Sequence, residues 1–467
     1  MELKTEQAHQ TEPMEGKMGL LMKTQQEKRK NSFFATLSDN PLAHAFEKKT
    51  VIHAGLGGAP VPRKEISSVW DNLADIPRSG ETAAYIHIPF CKTHCLYCGF
   101  YSNAATGDFS RPYTDALIRE LRQDSNLAVC QDKPVHAVYL GGGTPTDLKA
   151  SDLERLLSSI KDFLPLANDC EITVEGRILE FDQEKIDACI RGGANRFSLG
   201  VQTFNTKMRQ ALGRISSRET IISTLSYLKQ TGHAAVIIDL IFGLPGQDAT
   251  LWERDIETFL ELELDGVDLY QLILYKGGAL EKQIQKGALP PTADTPEKSK
   301  LFALGVQLME NARYRRLSIS HWGRTTRERN RYNLFMKQKA QCLAYGSGAG
   351  GNLHGHAFFL DNKLESYLSR NLAGEKPLAM MLFPSPNESL IKIISGELEL
   401  GRMDLKKAGK QLNLDLEERF APLLSQWQKA GLVRLKGGWM DLTLAGEFWQ
   451  TNLAQGLIDY LQTVPGE

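Results

Sequence analysis

Between residues 82 and 274 the chain repeats one pattern: a short run of β-branched and aromatic residues, then a longer segment with helical periodicity. The short runs fall at 83–89, 135–140, 170–175, 195–200, 235–241 and 267–274. Helical spacing occupies 113–127, 151–163, 182–192, 216–231 and 249–262 between them. Strands joined through helices pair in parallel, and a parallel sheet must be covered. The alternation therefore predicts an α/β fold, a partial (β/α)6 barrel with its helices outside. In such barrels the chemistry gathers where the strands end. A cysteine loop follows the first run and GGGTP (141–145) the second. Glu175 ends the third, Gln202 follows the fourth and Asp239 lies in the fifth.

The loop CKTHCLYC (91–98) sits directly behind the apolar run AYIHIPF (84–90) and spaces Cys91, Cys95 and Cys98 as C-x3-C-x2-C. Three thiolates in one tight loop suit a [4Fe–4S] cluster that keeps one iron open. An open iron can chelate the amino acid end of S-adenosylmethionine (SAM) and pass on the electron that releases a 5′-deoxyadenosyl radical. The competing assignment is structural zinc, which closes with four ligands. His94 is the only local fourth ligand, and from inside the loop it does not easily reach the same metal. Cys130, Cys170, Cys189 and Cys342 stand singly, fit a reducing compartment and read as packing residues.

The other motifs are ambiguous alone. GGGTP offers bare backbone to a ligand, as an ordinary turn also does. Glu175, in TVEGR, can hold an ammonium or a ribose hydroxyl, or be solvated. Asp239 interrupts VIIDLIF, where an unpaired carboxylate is expensive, so it pairs with a structural arginine or binds a ligand. GSGAGG (346–351) is a second close-approach backbone. SHWGRTTRERNRYN (320–333) is either a solvated basic loop or a site for a flat ligand bearing carboxylates. In the second case Arg324 and its neighbours pair with propionates, Trp322 stacks on a ring and neutral His321 is axial to haem iron.

The 467 residues suffice for two or three domains, and 42% apolar with 24% charged residues is ordinary for a soluble protein. A formal charge of −1 gives no reason to expect nucleic acid or an anionic membrane as partner. The N-terminus lacks a signal-peptide core, and AAVIIDLIFGLPG (234–246) is too short to span a bilayer, so a cytoplasmic location is expected. Residues 1–30 read as a disordered extension, 31–80 as a segment wrapping the main domain, and 81–375 as the barrel with its trailing strands. Residues 376–467 read as a C-terminal helical, winged-helix-like domain: helices, an apolar strand, a Gly-Gly turn, a second strand and a helix.

YIHIPFCKTHCLYC, LGGGTPT, GANRFSLGVQTFN (193–205), ALGR (211–214) and DLIFGLPGQ (239–247) together resemble the oxygen-independent coproporphyrinogen III oxidase family of radical SAM proteins. The resemblance runs from about Tyr85 to Gly351, with a related C-terminal domain, and excludes residues 1–30. It implies two SAM molecules. Tyr85, Gly142 and Glu175 would contact the one on the cluster; Tyr97, Gly143, Thr144, Gln202, Arg214 and Asp239 would line the second. The decarboxylating oxidase carries a further cysteine where this chain has Phe100. The haem-chaperone branch has an acidic residue where this chain has Gly99. The combination of CGF, VEGR and SHWGRTTRERNRYN resembles the haem-utilisation branch of the HutW type, anaerobic haem-degrading radical SAM methyltransferases (anaerobilin synthases). That resemblance implies haem as substrate, opened to a linear tetrapyrrole with iron release, and a flavodoxin or flavin reductase as electron donor. The alternatives are a coproporphyrinogen III decarboxylase and a haem chaperone without turnover.

Overall fold

The computed structural model describes residues 33–50, 58–101, 103–131, 133–338 and 340–463; the extension expected at 1–30 lies outside them. The six strands form: β1 (Thr82–Ile88), β2 (Val135–Gly142), β3 (Leu166–Gly176), β4 (Arg196–Gln202), β5 (Ala235–Phe242) and β6 (Gly266–Gln271). They lie side by side in that order, every neighbouring pair parallel. β4 is buried along its whole length, as a strand covered on both faces must be. Helices α1 (Ser110–Asp124), α2 (Ala150–Phe163), α3 (Gln183–Gly192), α4 (Arg218–Thr231) and α5 (Ala249–Leu262) separate them. The local sequence sets these bounds. α2 buries Leu153, Leu156, Leu157 and Ile160, one stripe at helical spacing. α3, α4 and α5 start on Asp182, Ser217 and Asp248, each accepting a backbone N–H three residues on. α3 and α4 stop at Gly193 and Gly232, both left-handed.

The sheet continues past the six strands. After α6 (Thr295–Asn311), β7 (His321–Gly323) runs antiparallel to β6. A two-residue strand, Arg315–Arg316, pairs with β7. A helix, α7 (Arg331–Lys337), then leads to β8 (Gln341–Tyr345), which returns to lie parallel to the outer side of β1. β9 (Gly350–Leu353), β10 (His356–Leu360) and β11 (Leu378–Leu382) extend that edge in antiparallel steps. The result is one continuous sheet in which β1 is an inner strand, between β8 and β2.

The described chain divides into two compact units, 58–403 and 33–50 with 404–463. The turn near 380, read from sequence as the start of the C-terminal domain, follows β11, which is hydrogen-bonded into the barrel sheet. The segment read as one wrap goes two ways. Trp70 packs its ring 5.2 Å from that of Phe358. Residues 33–50 join the C-terminal helices instead, where the Trp427 indole donates to the Phe33 carbonyl at 2.9 Å and Trp449 to those of Pro41 and Leu42 at 3.0 Å. The second unit contains two helices (Leu405–Leu412, Leu416–Lys429), a hairpin (Val433–Lys436, Trp439–Leu442) and two more helices. Among the described residues no helix is long and apolar enough to cross a membrane.

Candidate functional site

The loop after β1 begins with a short strand, Phe90–Cys91, paired with Asn103–Ala104. Cys91 and Cys95 are buried, Cys98 is half-buried and all three are free thiols. Two of the sulfurs accept hydrogen bonds. Thr144 Oγ1 donates to Cys91 Sγ at 3.3 Å, and the Phe100 N–H donates to Cys98 Sγ at 3.3 Å. Burial pushes the Cys91 thiol up, while the Thr144 hydroxyl and the Arg177 guanidinium oppose that shift. Among the described residues no three His, Cys, Asp or Glu side chains converge on one ion-sized point. A cubane cluster gives each thiolate its own iron, so Cys91, Cys95 and Cys98 would each hold one.

GGG after β2 is a cradle that side chains would fill. Gly142 has φ +114°, and a Cβ there would stand 2.5 Å from the His87 ring; at Gly143 it would stand 2.4 Å from the Phe90 carbonyl oxygen. Beside it opens a cavity of about 610 Å³, lined by Tyr85, His87, Gly142, Glu175 and Ser347 among others. Three of the residues that the resemblance assigned to the first SAM thus share one wall. Tyr85 stacks with Tyr139 and Tyr332, and Tyr139 stacks on Tyr332 at 4.6 Å.

Burial, with Asp239 nearby, pushes Glu175 up to about 8, although the Gly142 N–H and Tyr139 hydroxyl bond to it. Burial and the Asp268 carboxylate raise Asp239 to about 7 against Arg196, Arg214 and His321. It accepts a long hydrogen bond, 3.5 Å, from the Ser198 hydroxyl. Gln202 closes β4 with φ +71°, a left-handed conformation that costs a non-glycine residue energy. Its buried Oε1 has no hydrogen-bond partner. Arg214 bonds to the Tyr97 hydroxyl at 2.7 Å and to the Gly200 carbonyl. These orphaned and shifted polar groups fit a ligand with cationic and hydrogen-bonding parts.

The 320–333 segment lies elsewhere and needs correcting. His321 is fully buried, with Nδ1 2.8 Å from Asp268 and Nε2 3.0 Å from Glu328. Burial alone would lower its pKa, but the two carboxylates raise it to about 9, which favours the imidazolium over the neutral ring that an axial ligand needs. Arg324 donates to the Glu263 carbonyl at 2.6 Å, and Arg327 to the carbonyls of Gly232 and Ala234. Arg329 and Arg331 bind Asp169. The arginines' partners stand at or before the starts of β5 and β6 and in the first half of β3, so the arginines strap the N-terminal end of the barrel, while His321 reaches Asp268, the register partner of Asp239. Sequence reasoning also missed Glu328, which pairs with Arg196 at 3.0 Å in full burial. His87 and Asp268 were missed too. Asp268 lies in GVDLY, the same interruption of an apolar strand that singled out Asp239.

The radical SAM superfamily profile matches residues 85–259. The chain is 41% identical over 434 residues to an anaerobilin synthase of Escherichia coli O157:H7, covering 92% of this chain and 95% of that one. It is 33% identical to the heme chaperone HemW of Lactococcus lactis over 58% of this chain and 70% of that one. In structure it is similar to coproporphyrinogen III oxidase from Escherichia coli, with a TM-score of 0.71, 22% identity and coverage of 84% and 94% of the two chains. The cysteine loop and its rim accordingly bring the expectation of a [4Fe–4S] cluster and SAM. The chain belongs to the radical SAM superfamily, in the coproporphyrinogen III oxidase-like family that also contains the anaerobilin synthase.

Proposed function

We propose that this protein is an anaerobic haem-opening enzyme, a radical SAM methyltransferase that uses two SAM molecules to convert haem to a linear tetrapyrrole and release its iron. The observation that carries the reading is the match to the anaerobilin synthase, 41% identical over 92% of this chain. Phe100 supports it, because the family's decarboxylase carries a cysteine at that place and a phenyl ring is no donor.

Cys91, Cys95 and Cys98 would hold the cluster, which when bound supplies the electron that opens the carbon–sulfur bond of SAM. The chain's other groups bind and orient. The Gly142 backbone would meet the amino acid end of the first SAM, with Glu175 accepting from its ammonium. Gln202, Arg214 and Asp239 would seat the second. Glu175 and Asp239, both raised well above the usual carboxylate range, would give up protons as a cationic ligand enters. Tyr85, Tyr139 and Tyr332 exclude water from one wall. A flavodoxin or flavin reductase would supply reducing equivalents.

The test is anaerobic incubation of reconstituted protein with haem, reductant and methyl-labelled SAM, followed by mass spectrometry and an iron-release assay. A linear tetrapyrrole carrying the label is the expected product. Haem recovered intact after SAM cleavage would instead favour carriage without turnover.

A further inference from the structure

The cysteine loop is fastened from outside at three backbone points between Cys91 and Cys98. The Lys92 N–H donates to Asp147 Oδ2 at 2.8 Å, the Thr93 carbonyl accepts from Arg177 Nη1 at 2.8 Å, and the Leu96 N–H donates to the Leu212 carbonyl at 3.1 Å. Of these three anchors, Arg177 is the one that brings a positive charge to the loop.

The local sequence puts it there. Arg177 follows directly on β3, in VEGR. A Cβ at Gly176 would stand 2.4 Å from Thr146 Cγ2, so glycine is what lets the GGGTPT turn come close. Thr146 Oγ1 accepts the Arg177 N–H at 3.2 Å and donates to the Arg177 carbonyl at 3.4 Å. With its backbone clasped in this way, the side chain reaches from the strand end to the carbonyl between the first two cysteines.

The guanidinium is costly to keep where it is. Arg177 is 8% exposed, its Nε is buried without a hydrogen-bond partner, and among the described residues it has no carboxylate at ion-pair distance. The carboxylate whose field it shares, Asp147, is tied to the Lys92 N–H and faces Lys92 and Lys185 as well. Arg196, equally buried, is paired with Glu328. A buried cation without its own counter-ion is expensive unless an anion joins it. The anion that this loop is built to hold is the cluster. Of the charged groups around Cys91, the Arg177 guanidinium acts on the thiol most strongly, ahead of the Asp147 carboxylate.

We infer that Arg177 is the counter-ion of the cluster, a positioning residue that fixes the loop through Thr93 and sets the cluster's reduction potential. The inference rests on the reading of the three cysteines as ligands of a [4Fe–4S] cluster. Three thiolates around a doubly positive core leave a net charge of minus one. The single electron taken from the external reductant makes it minus two, with no bond made or broken in that step. A fixed buried cation favours the more negative state and makes the electron easier to accept.

The test is a redox titration of the reconstituted full-length protein without SAM, with dithionite as reductant and followed by EPR. It compares the parent, Arg177→Gln and Arg177→Lys, with iron measured on the same samples. Arg177→Gln should be harder to reduce by about tenfold in the equilibrium constant, about 59 mV for one electron. Arg177→Lys, which keeps the charge, should titrate with the parent. A scaffold alone would change iron content and leave the potential where it was, so a full cluster with the parent's potential in Arg177→Gln overturns the inference. If Arg177→Gln assembles no cluster, the lysine variant decides. Parent-like iron and potential there show that the charge is what the cluster needs, and loss of the cluster there too makes Arg177 a scaffold and overturns the inference. A parent that takes up no iron and sulfide defeats the cluster reading itself, and this inference with it.

Discussion

At the N-terminal end of the barrel strands, Glu328 touches both Arg196 and His321, the exterior arginines each find a carboxylate or carbonyl, and His321 carries the network inward to Asp268, level with Asp239. At the C-terminal end, Glu175 and Asp239 sit in burial with raised pKa values, and Gln202 Oε1 has no partner. The two ends use similar residue types. At one end the charges satisfy each other and hold strands together. At the other they are held ready, and the strain of keeping them so is borne by the packed frame. A charged residue in this fold therefore tells little until its end of the strand is known.

The sharpest test of this contrast is at the cysteines. Cys91, Cys95 and Cys98 changed together to alanine should take the iron content from about four per chain to none and abolish SAM cleavage. Far-UV circular dichroism should stay that of the parent; zinc in place of iron and sulfide in anaerobically purified parent protein would undo the assignment. Next, Asp239→Asn should stop transfer of the methyl label to tetrapyrrole while some SAM cleavage persists. Loss of cluster and cleavage together would make Asp239 a frame residue like Glu328.

Glu328→Gln leaves Arg196 and His321 short of a carboxylate in full burial and should cost about 3–5 kcal/mol in urea unfolding. Glu175→Gln removes no ion pair and should barely move the urea midpoint. Equal losses would erase the distinction between the ends. A smaller effect separates them by pH. Because Glu175 and Asp239 titrate at about 8 and 7, they must lose protons to meet a cation. SAM affinity should rise with pH from about 6 to 8, by at most about tenfold per unit for each group, and calorimetric heats should depend on buffer ionisation. Without ligand the sign reverses: the native state holds protons that the unfolded chain has released. These two groups therefore cost stability as pH climbs from about 4 to 8. The smallest effect belongs to the strap, where Arg324→Ala should leave a haem titration unchanged.

Much of the barrel was legible because its signals are local. Caps at Asp182, Ser217 and Asp248, glycine stops and apolar stripes fix helix bounds within a few residues. Asp239 could be singled out because a carboxylate inside an apolar strand demands a partner wherever the strand lies. The 320–333 segment failed for the complementary reason. Histidine, tryptophan and arginines look alike whether they face haem or the floor of a barrel, and the contacts that decide are with Asp169, Glu263 and Asp268, 50 or more residues away in sequence.

The position of β8 bears on how the protein is made. β1, whose end carries the cysteine loop, has β2 on one side and β8 on the other, and β8 comes about 260 residues after β1. Until residue 345 has left the ribosome, β1 is an edge strand with one row of backbone groups unpaired. A contact of such long sequence separation forms late. Iron and sulfide supplied during synthesis would meet a loop still anchored on one side, so maturation of the centre belongs after release of the nearly complete chain, and a truncation before residue 341 would forfeit it.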